Sequence, residues 1–429
     1  MGGAPPHAAP PPPPPAGGGG GGGGGAPPPP PGGGPGRAGG RRRPPPGGPA
    51  RPSIRAGTNI RGSNTFSGIQ SGLLGGSRIG FRGQEALGNG LKAVFTLEYA
   101  LDIDGNFGLG ASSNGLAARQ QFVGLSSETF GTVAIGRQYA PGYVASGNND
   151  AFRGPTFAPQ SFLTAEAGNT ITPNNNARWN NAITYTSPNW GGFTGKAIYA
   201  FGERSAGDGS YNNKLTSVSD NGRYGIGFNF TSGPVNADLL YQVRQDVQAT
   251  TISLAGNNST LPAAVYAASN FPVNERVALN GVLPGRSNPN GKDINEWYVG
   301  GSYDLQVVRL MASYQGQNDK NAANLDNQTW SVGAVIPVMA SSKIHLSYAQ
   351  LMWDQGRNTL GQSLLNGNSD AAAIGWTTQT SKRTTLYATY VWTNNDRNSI
   401  AAGPNGGAPL TGARDEQNQT FIAGVNHTF

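Results

Sequence analysis

The chain contains no cysteine, and its three histidines, His7, His345 and His427, are scattered along 429 residues. Thiolate metal centres, disulfide scaffolds and cysteine nucleophiles are thereby excluded, and no metal cluster is to be expected. The absence is compatible with an oxidising compartment such as the cell envelope. Charge is sparse, at 12% of residues, yet no run of 18 apolar residues exists, so no transmembrane helix is available. No acidic residue precedes Glu85. Arg37, Arg41, Arg42, Arg43, Arg51, Arg55 and Arg61 account for seven of the 30 basic residues, and the 23 that remain balance the 23 acidic ones. The net charge of +7 therefore belongs to the N-terminal segment, and a nucleic-acid-binding face is unsupported. No charged n-region followed by an apolar h-region is visible, so a secretory signal is missing.

Residues 1–61 carry the homopolymeric runs Pro10 to Pro15, Gly17 to Gly25 and Pro27 to Pro31. Such a segment buries too little apolar surface to offset its ordering entropy and reads as a disordered tail. A mis-called start in GC-rich DNA accounts for it; the functional alternative is a cell-wall-spanning or RNA-binding arm.

From about Ser77 the apolar period becomes two. In 223–230, Tyr224, Ile226, Phe228 and Phe230 alternate with Arg223, Gly225, Gly227 and Asn229. Val235, Ala237, Leu239, Tyr241 and Val243 oppose Asn236, Asp238, Gln242 and Arg244, and Ile344, Leu346 and Tyr348 oppose Lys343, His345 and Ser347. Segments of this kind fall near 77–88, 91–102, 119–128, 131–139, 182–187, 191–202, 222–233, 235–246, 296–306, 307–319, 329–339, 343–354, 371–381, 383–396 and 419–429. Many approach the roughly 9–11 residues that a tilted membrane strand needs, aromatics recur near their ends, and short turns alternate with long connections. The pattern specifies an all-β chain, a transmembrane antiparallel β-barrel, over residues 62–429. Fifteen strands is an odd count where bacterial barrels use an even one, so a strand is missing or replaced before Ser77. Without it two unpaired edges would face lipid, at several kcal/mol for each unsatisfied group, unless part of 53–66 substitutes.

The hairpin Ser77-Arg-Ile-Gly-Phe-Arg-Gly-Gln-Glu-Ala-Leu-Gly-Asn-Gly-Leu-Lys-Ala-Val-Phe-Thr-Leu-Glu98 resembles an early hairpin of general porins from beta-proteobacteria and neisseriae. The next, Arg119-Gln-Gln-Phe-Val-Gly-Leu-Ser-Ser followed by Phe130-Gly-Thr-Val-Ala-Ile-Gly-Arg-Gln-Tyr139, is similar to its successor there, and Gly424-Val-Asn-His-Thr-Phe429 to the closing signature. The resemblance, over about 65–429, implies a sixteen-stranded barrel whose first strand is missing or replaced here. It also implies a homotrimer in outer-membrane lipid, a third loop folded into the bore, and a C-terminal strand ending in Phe429 that is read by the barrel-assembly machinery.

Arg78 and Arg82 share a face opposite Ile79 and Phe81, and lumen-facing arginines are the natural reading, because a guanidinium in midplane lipid costs roughly 2–4 kcal/mol. The alternative is that they neutralise carboxylates such as Glu98. Arg119 and Arg137 fit the same family positions, although Arg137 falls in register with Val133 and Ile135, which should face outward. Residues 140–181 show no sustained alternation, which marks a functional or disordered loop; by resemblance it is the constriction loop. Its acids, Asp150 and Glu166, would face arginines across the bore and create a transverse field, while Arg153 and Arg178 tilt the balance toward weak anion preference.

Other motifs fail. Asp102-Ile-Asp104-Gly-Asn106 opens like a calcium loop but has Phe107 and Ser113 where glycine and glutamate belong. His345 and Ser347 share a strand face without a third triad member, so no catalysis is indicated. The Gly-rich stretches lack the ending of a phosphate loop. The expected function is passive diffusion of small hydrophilic solutes and ions across the outer membrane, with no cofactor, enzymatic step or nucleic acid. The rivals are a substrate-selective channel with a saturable solute site and a secreted β-rich adhesin.

Overall fold

The computed structural model describes residues 49–50, 52–59, 65–101, 103, 117–202, 222–247, 252–254, 259–261, 292–320, 326–354, 367–396 and 417–429, all within the unit Pro44–Phe429. Residues 1–48 of the expected tail and, Ile103 apart, the acidic segment 102–113 lie outside them.

The strands are β1 (Pro49–Ala50), β2 (Pro52–Asn59), β3 (Thr65–Ser71), β4 (Arg78–Gly88), β5 (Leu91–Ala100), β6 (Ala118–Ser127), β7 (Gly131–Tyr139), β8 (Arg178–Thr186), β9 (Phe193–Ala200), β10 (Arg223–Ser232) and β11 (Val235–Arg244). After a separate short pair, β12 (Ile252–Leu254) and β13 (Ser259–Leu261), come β14 (Ile294–Asp304), β15 (Arg309–Asp319), β16 (Asn327–Met339), β17 (Ser342–Trp353), β18 (Asn368–Ser381), β19 (Thr384–Asn395) and β20 (Gln417–Thr428). Antiparallel ladders join β4 to β11 and β14 to β20 in chain order, with β11 paired to β14. These are the fifteen strands that alternation specifies.

Alternation left out two stretches, β3 and the line formed by β1 and β2, and the second is supplied from inside the expected tail. Ser53–Asn59 lie against Gly424–Asn418, and Pro49 and Ala50 pair with Thr428 and His427 in the same register, so β1 and β2 continue one line. Pairing thus begins ahead of the boundary expected at 61. β2 then turns back into β3.

Connections of one rim are short, at 89–90, 128–130, 233–234, 340–341 and 382–383, whereas 101–117, 140–177, 201–222, 245–293 and 396–416 are long. The outer face is greasy: Phe81, Val123, Ile135, Phe193, Ile226, Phe228, Leu239, Val299 and Ile374 are all exposed. Their strand neighbours point inward and are largely polar, with Thr96, Glu98, Asp238, Gln242, Glu296, Gln315, Gln317, Thr329 and Ser347 buried. A water-soluble sandwich would bury the first set and expose the second, so the inversion is that of a barrel wall between lipid and a wet interior.

What fills that interior is the connection 140–177. Its neck is pinched where Ala140 N–H donates to Ala177 O at 2.9 Å. Two helices form inside it, α1 (Pro141–Asn148) and α2 (Pro159–Glu166), each opened by a proline whose missing N–H would be unpaired in any case. α1 packs against β7, β9, β10, β11 and β14, while α2 packs against β16, β17 and β18. One loop can reach both sets of strands only if the sheet curls around it. Phe157, Phe162, Leu163 and Ile171 are fully buried in the process, worth roughly 1.5–3 kcal/mol each.

Candidate pore constriction

Glu98 on β5 is the centre of the charged cluster. It is 4% exposed, and its carboxylate faces Arg119 at 2.9 Å, Arg78 at 3.4 Å and Arg82 at 3.9 Å. The Tyr139 hydroxyl donates to it at 2.9 Å. Of the three arginines only Arg82 projects into water, with its side chain 73% exposed. Arg119, expected on the pore wall, is instead 5% exposed and packed behind the loop. Its guanidinium also donates to the Tyr139 and Tyr143 hydroxyls at 3.4 and 3.2 Å. Those two rings stack at 3.8 Å, and the Arg178 guanidinium lies 5.9 and 5.5 Å from their centres. The result is a ladder of cations and phenols with one carboxylate in it. Its field is legible in Tyr143: burial would push this phenol up, yet the Arg119 and Arg178 guanidiniums outweigh it and hold it below the ordinary phenol value.

Arg137 stands opposite a bulge in β8, where Asn180 and Asn181 together face it. Gly136 pairs with Ala182 and Gln138 with Trp179, so the register slips between them. Gly136 adopts φ +128, where an added Cβ would meet Gln121 O at 2.1 Å. The Arg137 guanidinium is turned to the returning limb of the loop, donating to Arg178 O at 3.1 Å, Asn175 Oδ1 at 2.9 Å and Asn180 Oδ1. It ties the neck rather than joining Glu98.

The two loop acids are buried and do not meet arginines. Asp150 accepts backbone N–H groups of Phe152 at 3.2 Å and Gly154 at 2.7 Å, and no described arginine lies within ion-pairing distance. Burial pushes its carboxyl up to about 6 despite those bonds. Glu166, on the last turn of α2, is 7% exposed, and burial alone pushes it up to about 9, so it is protonated at neutral pH. The expectation that both acids face arginines across the bore therefore gives way to carboxyls folded back into the loop's own packing.

Residues that carry no sequence signal hold the loop in place. Gln242 accepts Gly142 N–H at 2.7 Å and donates to Thr170 Oγ1 at 2.9 Å. Glu296 accepts Thr170 N–H at 2.6 Å and the Thr170 hydroxyl, with Arg244 at 3.7 Å. Asn149 donates to Asp238 at 2.8 Å and to the Tyr298 hydroxyl at 3.2 Å, and Gln315 donates to Ile171 O at 3.2 Å. A buried loop needs such partners, because its backbone polar groups are cut off from water.

An antiparallel cylinder, greasy outside and polar inside, with a folded loop pinned across its interior, defines a membrane channel. Residues 53–398 match the family of Gram-negative porins, and the chain belongs to it. Among its relatives are an outer membrane porin of Bordetella pertussis, 27% identical over 325 residues (75% of this chain, 77% of that protein), and outer membrane porin protein 32 of Delftia acidovorans, 25% identical over 357 residues (82% and 84%). In fold it is similar to an anion-selective porin from Comamonas acidovorans, at TM-score 0.66 and 22% identity, over 89% of this chain and 98% of that one. The protein is accordingly a diffusion channel of the outer membrane and not an enzyme.

Proposed function

We propose that residues 140–177 form the constriction of this porin and that Arg78, Arg82 and Arg119, supported by Arg178, make the field there net positive at neutral pH. The observation that carries the reading is the imbalance around Glu98: several guanidiniums share one carboxylate, while Asp150 is held by its own backbone and Glu166 stays protonated. Small hydrophilic solutes then pass by diffusion, and anions are weakly preferred because charge at a narrow point sets ion preference. Arg137 serves the loop's neck rather than the field. The exposed apolar belt is the surface offered to lipid and to further copies in a homotrimer, and β20, ending in Phe429, is the strand offered to the assembly machinery.

Planar bilayers test this. Refolded trimer should give large, nearly ohmic steps, and its reversal potential under a salt gradient should report a modest anion preference. Arg82→Glu, a change at the water-exposed guanidinium, should move that potential toward cations. A reversal potential indifferent to the charge at residue 82 would overturn the assignment of this cluster to the pore.

A further inference from the structure

We propose that the inner face of β16, β17 and β18 is a shaped seat for residues 150–152 of the loop, in which His345 and Ser347 are positioning residues that fix the width of the pore. The inference rests on the reading of 140–177 as the constriction.

His345 and Ser347 are the pair that shares a face of β17 without forming a catalytic site. Here they grip the loop tip. The two imidazole nitrogens lie 2.9 Å from Ala151 O and 2.9 Å from the Thr377 hydroxyl, so the ring is pinned between the loop backbone and β18. Only a ring N–H can satisfy the Ala151 carbonyl, which assigns the proton to Nδ1 and leaves Nε2 to accept from Thr377. Phe152 stacks over the imidazole, with ring centres 5.3 Å apart. Ser347, one inward position further along, stands beside the Asp150 carboxyl. Three consecutive loop residues thus find their partners in two side chains of one strand.

The flanking strands are cut away to receive them. On β18, a Cβ at Gly375 would lie 2.4 Å from Phe152 Cε1 and 2.8 Å from Thr389 Oγ1. On β16, a Cβ at Gly333 would lie 2.9 Å from the Ala151 Cβ. These glycines are paired across the ladders with β17, Gly333 with Ser347 and Gly375 with His345. Polar hooks on the central strand and missing side chains on both neighbours form one recess, shaped to these residues. Phe152 then leads on to Phe157, edge to face at 5.4 Å, and so to the apolar packing of α2. A porin wall that merely lined water would need neither the gaps nor the hooks.

The test uses the purified porin with two readouts, amide hydrogen exchange over 149–157 and single-channel conductance in planar bilayers. His345→Ala should speed exchange in that segment by on the order of tenfold, the scale of one lost hydrogen bond with an orphaned carbonyl, and should give larger, noisier current steps. His345→Asn keeps an N–H near the Nδ1 position and should restore protection. Gly375→Ala leaves every hydrogen-bonding group in place but evicts the Phe152 ring, and it should loosen the same segment, which covers the case in which the histidine variant does not fold. Unchanged exchange in His345→Ala or in Gly375→Ala overturns the seat. Faster exchange with unaltered conductance upholds the seat and instead overturns the reading of this loop as the constriction.

Discussion

Where the entering and returning ends of the inward loop meet β11, β14 and β15, they are held by directional polar bonds: Gln242 to Gly142 and Thr170, Glu296 to Thr170, and Gln315 to Ile171. Where the middle of the loop, around α2, meets β16 to β19, Phe157, Phe162 and Leu163 pack among Ala349, Leu351, Tyr387 and Val391. A hydrogen bond contributes a net 0.5–1.5 kcal/mol or so and fixes position, whereas a buried aromatic contributes about twice that without specifying orientation. A loop standing in a hydrated bore uses one wall for registry and the other for strength.

The largest effect should come from the apolar wall. Phe162→Ala removes a fully buried ring, which costs about 3–5 kcal/mol, and should free α2 to exchange amide hydrogens while Gly142–Ser146 remain protected. Equal loosening of α2 and of the polar-anchored ends would erase the distinction between them. On the polar wall, Gln242→Leu leaves the Gly142 N–H buried without its acceptor, at roughly 1–3 kcal/mol, and should expose α1 selectively in the same measurement.

Glu166 sharpens the contrast through pH. Its proton is retained up to about 9, against an ordinary value of 4.5, because burial disfavours the carboxylate. The unfolded chain releases that proton at lower pH, so the group weakens the folded state progressively as pH rises from 4.5 to about 9 and not below. Glu166→Gln should therefore raise the temperature of the heat-induced mobility shift at pH 8 and leave it unchanged at pH 4. The smallest effect concerns Asp150, whose carboxyl titrates at about 6. As pH falls through that value one negative charge is lost from the loop, and the reversal potential should move slightly toward anions. Identical values at pH 7.5 and pH 5 would remove Asp150 from the field of the pore.

Much of the wall was legible in the sequence because a barrel strand repeats every two residues and each face has one solvent. Tyr224, Ile226 and Phe228 declare themselves by that rhythm and are exposed as it requires. The setting of Arg137 was hidden because the extra residue lies on its partner strand β8, where Asn180 and Asn181 face it, a slip that alternation along β7 cannot register. The strand 52–59 could be anticipated only as a possible substitute within 53–66, because it is short of apolar side chains and what places it is backbone pairing to β20. The loop acids were misjudged in setting rather than in location. Composition shows that Asp150 and Glu166 lie in the loop, but their burial is decided by how α1 and α2 fold against distant strands. Gln242, Glu296 and His345 likewise look like ordinary inward polar residues until the loop is laid across them.

Because Ser53 pairs with Gly424 and Asn59 with Asn418, the two extremes of the paired chain are stitched edge to edge. Every other ladder of the barrel can zip from a neighbouring segment, but this seam must wait until nearly all of the polypeptide has been threaded, since the search entropy of joining such remote partners is met only at the end. Closure is thus expected late in assembly, and a circularly permuted chain, with Phe429 linked to the start of β1 and new ends opened in the long connection 245–293, should move the late seam to the β11–β14 ladder, so that amide protection during refolding comes early in β2 and β20 and last in β11 and β14.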